Sequence, residues 1–237
     1  MTEGVLYLVA TPIGNLGDMT ARAVEILKNM DLIVCEDTRH SRVLLDHYGI
    51  HKPLTSYFDF SEKKRAPGIL GKIKNGSKVA LISDAGTPGI ADPGFRLITG
   101  AIEEGIKIEA LPGASAFLTA LVISGLPTDR FAFEGFFPVK AGQKKNKLLS
   151  LKKEDRTLIF YESPHRLLKT LGLIQETLGD IRIVVARELT KKFEEVIRDK
   201  VSNIISHFSN KKVLGEFVVL FNLNKRTKGT SSERPSI

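Results

Sequence analysis

The stretch ISDAGTPGIADPG, Ile82 to Gly94, holds three glycines, two prolines and two aspartates. An apolar run, Lys78 to Ile82, leads into it and a helix-like pattern follows, so it joins a strand to a helix. Turning a chain needs about two such residues. The surplus points to a second task. Glycine lets main chain approach a ligand closely, and proline fixes a loop's shape in advance.

Two more loops share this character. ATPIGNLGD (Ala10–Asp18) follows the strand-like VLYLVA (Val5–Ala10), and LPGASA (Leu111–Ala116) follows KIEAL (Lys107–Leu111). With LIVCE (Leu32–Glu36) and KVALIS (Lys78–Ser83), these runs alternate with helical patterns. Thr20, for example, is placed to cap a helix whose Ala23, Val24, Ile26 and Leu27 recur at helical spacing. Such alternation predicts a parallel sheet covered on both faces, with ligands bound at the carboxyl ends of its strands. Taken singly, each loop reads as a tight turn. Three at one edge point to a small-molecule site lined by backbone.

Beyond LPGAS the pattern changes. RFAFEGFF (Arg130–Phe137), TLIFYE (Thr157–Glu162), IRIVVARE (Ile181–Glu188), KFEEVIR (Lys192–Arg198) and GEFVVLF (Gly215–Phe221) read as strands, some with no helix between. The expectation is an α/β protein of two domains, residues 1–114 with a parallel sheet and 115–223 with a mixed one. The clearest helix of the second half should start at SPHR, with Ser163 as cap and Pro164 in its first turn. The polar, basic residues 224–237 read as a disordered tail.

The chain has 237 residues, a net charge of +8 and a pI near 9.5, which favours an anionic partner such as RNA, DNA or a membrane surface. Cys35 is the only cysteine, which excludes a disulfide framework and a cysteine metal cluster, and its place after an apolar run predicts a buried thiol. No apolar run approaches the ~18 residues of a membrane span, and the N-terminus lacks a signal-peptide plan, so a cytoplasmic protein is expected. Familiar nucleotide signatures fail. GKIKNGSK (Gly71–Lys78) has the glycines of a phosphate loop, but Ser77 and Lys78 stand in the wrong order and it enters a strand. No G-x-G-x-x-G follows a strand. His47 and His51 are four apart, yet Gly49 lies between them and no third ligand is near, so no metal is expected.

The loops also carry a family likeness. LYLVATPIGNLGDMT, VCEDTRHSRVLLDHYGI, ALISDAGTPGIADPG, LPGASAFLTAL, SGLPTDRFAFEGF, LIFYESPHRL and ARELTKKFEEV, in this order, resemble the tetrapyrrole-methylase superfamily and, within it, the branch that methylates small-subunit ribosomal RNA. The likeness runs from about Val5 to Phe221. It implies two α/β domains with S-adenosylmethionine (SAM) folded in the cleft between them. It further implies methyl transfer to the ribose 2′-oxygen of a decoding-region cytidine in 16S rRNA, by a homodimer that needs no metal.

By the same resemblance Pro12 lies beside the cofactor, Ala85, Gly86 and Thr87 fall where tetrapyrrole-methylating relatives have Gly-Gly-Asp, and Ile90 lies just beyond. Ser115 and Ala116 match the small polar pair near the methionine end, and Tyr161 and Leu189 are assigned from strand ends of the second domain. Phe60 and Ser61 stand where the ribosomal branch carries His and Asn.

A ribose hydroxyl is a poor nucleophile until its proton is drawn off or its developing charge is met. Acidic and basic residues at strand ends are the candidates: Asp37 or Glu162 as base, with Arg39 and Arg187 steering phosphate or stabilising charge. VKAGQKKNKLLSLKK (Val139–Lys153) holds six lysines and no acid, so Lys140, Lys144, Lys145 and Lys147 are expected to contact RNA phosphate. Two other readings remain at this point. One is a tetrapyrrole C-methyltransferase on the same scaffold, and the other is a non-catalytic RNA-binding assembly protein.

Overall fold

The structure, a computed structural model, describes residues 4–58 and 62–224. Phe60, Ser61 and the tail beyond Asn224 lie outside the described residues. The chain divides into two compact units, Met1–Ala116 and Phe117–Ile237.

The first unit is built on five strands: β1 (Val5–Val9), β2 (Leu32–Cys35), β3 (Leu54–Ser56), β4 (Lys78–Ile82) and β5 (Lys107–Leu111). All are parallel, in the order β3-β2-β4-β1-β5. Residues alternate between faces, so β1, β2, β4 and β5 each feed two cores. On one face Val9, Ile33, Cys35, Ala80, Ile82 and Leu111 pack with Ala23 and Leu27 of α1 (Ala21–Lys28) and Leu45 of α2 (Thr38–His47). On the other, Leu6, Val34, Val79 and Leu81 pack with Ile69, Leu70 and Ile73 of α3 (Glu62–Lys74) and Leu97 and Ala101 of α4 (Phe95–Glu103). Burial on both faces is why these strands read as unbroken apolar runs. Thr20 caps α1 as expected, its hydroxyl accepting from Ala23 N at 3.1 Å. The edge strand β3 escapes sequence reading, because three residues after Pro53 carry no periodicity.

After α5 (Ala116–Ser124), the second sheet comprises β6 (Phe131–Phe136), β7 (Thr157–Glu162), β8 (Arg182–Arg187), β9 (Glu195–Lys200) and β10 (Phe217–Phe221), ordered β6-β7-β10-β8-β9. Only β6 and β7 are parallel, so the sheet is mixed. One core joins it to α6 (Ala141–Ser150), α7 (Leu167–Leu178) and α8 (Val201–Ser209), through Leu148, Leu171, Ile174, Ile204 and Phe208 among others.

The start of α7 differs from expectation. The helix begins at Leu167, and residues 163–166 form a turn in which Arg166 N and Leu167 N both donate to Ser163 O at 3.1 Å. Ser163 does not cap it. Its hydroxyl accepts from Arg166 Nε at 3.2 Å, and its amide donates to the Glu162 carboxylate at 2.8 Å. A buried acid has drawn the would-be cap into its own network.

Candidate active site

The strands β4, β1 and β5 are neighbours, and their ends are level. Val9 stands opposite both Ile82 and Leu111, so all three Gly/Pro-rich loops leave the sheet side by side. They are then stitched together. Thr11 N donates to Gly86 O at 2.8 Å and Gly86 N donates to Thr11 O at 2.9 Å, an isolated antiparallel bridge between the first loop and the second. The buried Thr11 hydroxyl donates to Ser83 O at 3.0 Å, and the Ser83 hydroxyl donates to Gly86 O at 2.9 Å. Thr87 Oγ1 donates to Ala114 O at 3.3 Å, tying the second loop to the third.

Two glycines make this stitching possible. Gly86 has φ +88°, a left-handed conformation that costs other residues about 1–2 kcal/mol. A Cβ there would meet Ile13 and Ala114 only at ordinary contact distance, so backbone conformation is what demands glycine. Gly113 answers to packing, because a Cβ would lie 2.6 Å from that of Ala10. At the far end of the second loop, Gly94 N donates to Glu62 Oε1 at 2.6 Å, and Glu62 is only 8 % exposed.

The cofactor residues assigned to this unit lie on these loops. Pro12 and Gly86 are buried, Thr87, Ser115 and Ala116 half-buried, and Ala85 exposed. Ile90 is 41 % exposed. Backbone amides and carbonyls flanked by one open apolar surface suit a ligand that carries a charged amino-acid end and a flat heterocycle. In the second unit, Tyr161 is half-buried at the end of β7, with its ring edge-on to Phe133 and Phe136 at 4.9 and 5.4 Å. Leu189 is buried between two non-glycine residues of left-handed backbone, Glu188 (φ +50°) and Thr190 (φ +67°). Strain of this kind tends to be retained at functional sites.

Beside the stitched loops, the ends of β2, β3 and β4 enclose an open cavity of about 430 Å³, lined by Glu36, Asp37, Arg39, Ser56, Phe58 and Asp84. Val34 opposite Leu81 sets the level, and Asp37 N donates to Asp84 Oδ1 at 3.3 Å. Asp37 caps α2, accepting from Arg39 N at 2.8 Å, and holds the Arg39 guanidinium in a two-point pair, Nε to Oδ1 at 3.1 Å and an NH2 to Oδ2 at 2.7 Å. These bonds from Arg39 hold the Asp37 carboxyl far below the usual carboxylate range. A carboxylate so stabilised is a weak proton acceptor. Asp37 therefore orients Arg39, whose side chain is 89 % exposed.

The other predicted catalytic residues are committed within the second unit. The Glu162 side chain is wholly buried, paired with Lys144 Nζ at 3.0 Å and an Arg166 NH2 at 2.8 Å, and it accepts from Thr170 Oγ1 at 2.5 Å. Thr170 also contacts the Lys144 ammonium. Arg187 Nε donates to Leu214 O at 2.6 Å, with Glu195 3.6 Å from one NH1.

The lysine segment is drawn partly into pairs in the same way. Lys144 is 4 % exposed and cannot meet phosphate as placed. Lys145 pairs with Glu176 at 2.6 Å, and Lys147 pairs with Glu134. The segment contains no acid, but the fold brings acids to it from β6, β7 and α7. Lys140 is exposed and has no acidic partner among the described residues.

Sequence reading missed Thr11, Ser83, Glu62 and Asp84 as working residues. Asp84 had a signal: it is an acid two residues beyond a strand end, inside the most glycine-rich loop. Ser56 and Phe58 belong to the unread edge strand and its exit.

Comparison with known proteins agrees with this arrangement. Residues 5–205 match the family model of tetrapyrrole (corrin/porphyrin) methylases. The chain is 54 % identical over 202 residues to a ribosomal RNA small subunit methyltransferase I of Haemophilus influenzae, covering 85 % of this chain and 71 % of that one. It is 50 % identical over 218 residues to the protein of that name in Thermotoga maritima, covering 92 % and 97 %. A solved cobalt precorrin-4 methyltransferase has the same fold, with TM-score 0.67 at 17 % identity over 91 % of this chain and 94 % of that one. A parallel sheet edged by three stitched Gly/Pro loops, a second mixed sheet and a family match spanning both place this chain in the tetrapyrrole methylase family.

Proposed function

We propose that this chain is a SAM-dependent methyltransferase of small-subunit ribosomal RNA, acting on the ribose 2′-oxygen of a decoding-region cytidine, position 1402 of 16S rRNA. The observation that carries the reading is 50 % identity over 92 % of this chain and 97 % of the Thermotoga maritima relative, whose name states that activity class. Assembly as a homodimer and a cytoplasmic location belong to the same proposal. Among the described residues no helix is long and apolar enough to cross a membrane.

When bound, SAM supplies an electrophilic methyl on a sulfonium, a good leaving group for in-line displacement. The chain's own residues do the rest. Main chain at Ala85, Gly86 and Thr87 offers polar partners to the charged end of the donor, and Ile90 offers an apolar wall to adenine. Pro12, Ser115 and Ala116 line the neighbouring loops, and Tyr161 and Leu189 are the second unit's own proposed cofactor residues. Because the Thr11–Gly86 bridge and the Thr87–Ala114 bond fix these loops to one another, little conformational freedom is lost on binding. Holding two reactants in register supplies on the order of 7–11 kcal/mol in favourable cases.

The test is incubation of the protein with labelled SAM and small subunits lacking the modification, followed by mapping of 2′-O-methyl sites. A single labelled ribose in the decoding region is expected. Methylation of uroporphyrinogen with none of RNA would replace this reading with that of a tetrapyrrole enzyme.

A further inference from the structure

We infer that the cavity at the ends of β2, β3 and β4 is the acceptor pocket, which takes one unpaired ribonucleotide, and that Asp84 is the group that receives the hydroxyl proton. The inference rests on the methyltransferase reading and deepens it by placing the acceptor.

The sheet itself divides the labour. Donor loops leave β4, β1 and β5, whereas the cavity lies over β3, β2 and β4. The strand common to both is β4, and Asp84 is the second residue beyond its end, directly before the Ala85–Thr87 segment. A group shared by both sites must stand at their junction, which is where the methyl changes hands.

The lining has the chemistry of a nucleotide pocket. Its volume, about 430 Å³, lies in the range of small-ligand sites. Phe58 is 41 % exposed and forms part of the wall, a flat apolar surface on which a base splayed out of its strand can stack. Arg39 is the cation of the lining, and its two-point bond to Asp37 holds the guanidinium in one orientation, as phosphate recognition favours. Glu36, Ser56 and Asp84 supply the polar groups a ribose requires.

Of the carboxylates here, Asp37 is committed to Arg39 and to the cap of α2. Among the described residues Asp84 accepts one bond, at 3.3 Å, from the neutral amide of Asp37. In the step assigned to it, the 2′-O–H bond breaks as the O–CH3 bond forms, and the proton passes to the Asp84 carboxylate. The S–CH3 bond breaks with its electron pair remaining on sulfur, so sulfonium becomes neutral thioether. The carboxylic acid then returns its proton to water.

The experiment measures methyl incorporation into unmodified small subunits and, separately, SAM affinity by calorimetry, for the wild type, Asp84→Asn, Asp84→Ala and Phe58→Ala. Asparagine keeps an oxygen for the Asp37 amide but cannot take a proton, so a purely structural Asp84 would tolerate it. The expected result is that Asp84→Asn lowers kcat by about 100-fold or more, the scale of a lost general base. Its SAM affinity should stay within about threefold of the wild type, which also reports that the variant folds. Phe58→Ala should raise KM for the subunit about tenfold with kcat retained, the pattern of lost uniform binding. Wild-type turnover in Asp84→Asn, or an unchanged KM in Phe58→Ala, would overturn the assignment while leaving the methyltransferase reading intact. An inactive wild type would overturn that reading, and this inference with it.

Discussion

Lys144 Nζ lies 3.0 Å from Glu162 Oε2, with side chains 5 % and 0 % exposed. This buried pair joins the lysine helix α6 to the end of β7 and to Thr170 on α7. Removing Glu162 strands the Lys144 charge in a dry core, which typically costs about 3–5 kcal/mol. Glu162→Ala should lose stability on that scale in urea denaturation, and Lys144→Ala should lose less, since Glu162 keeps its pair with Arg166. The double replacement Lys144→Met with Glu162→Leu should be closer to wild type than Glu162→Ala, because no buried ammonium is left unpaired and Arg166, which loses its carboxylate, is partly exposed.

Gly86→Ala tests the stitched loops. The cost of φ +88° to alanine is about 1–2 kcal/mol, since the added methyl meets nothing closer than 3.5 Å. Relieving that strain breaks the bridge to Thr11, so calorimetry should show weaker SAM binding together with the lower stability. Gly113→Ala should lower stability by a different route, overpacking against Ala10, which costs about 1–3 kcal/mol. Wild-type SAM affinity in both variants would count against a donor site on these loops.

Glu195 on β9 predicts an acid-sensitive term in stability. Partial burial raises its carboxyl pKa, but hydrogen bonds and charge from Lys211 and His207 outweigh that and leave it below the ordinary 4.5. A carboxyl lowered in the folded state binds fewer protons there than in the unfolded chain. The stability it contributes is therefore complete above pH 4.5 and is lost as pH falls below that value towards the folded pKa. Glu195→Gln should lower Tm at pH 7, and the gap between variant and wild type should shrink as melting curves are taken down to about pH 3.5.

The lysines of α6 and its flanks should separate in salt titrations of RNA binding. Lys140, Lys152 and Lys153 are exposed, whereas Lys145 and Lys147 are engaged with Glu176 and Glu134. Each phosphate contact contributes about 0.7–0.9 to the slope of log affinity against log salt. Alanine at Lys140, Lys152 and Lys153 together should flatten that slope more per lysine removed than alanine at Lys145 and Lys147. Equal changes per lysine would mean that the acidic partners do not restrain the latter two.

By itself the sequence determined what depends on local pattern and backbone chemistry. Continuous apolar runs between helical patterns could satisfy both faces of a sheet only as parallel strands, and Gly/Pro density placed the loops at their ends. Thr20 met the helix it was placed to cap, because a cap acts within three residues. Only the tertiary structure decided which charged groups are available for chemistry. Lys144 reads as one of six solvated lysines until Glu162, eighteen residues away, comes to lie 3.0 Å from it in the core. Asp37 looks like a base until Arg39 holds both its oxygens, and Asp84 looks like a turn residue until β2 and β3 wall a cavity beside it. Availability follows from burial and pairing across distant segments, and no local stretch of sequence carries that information.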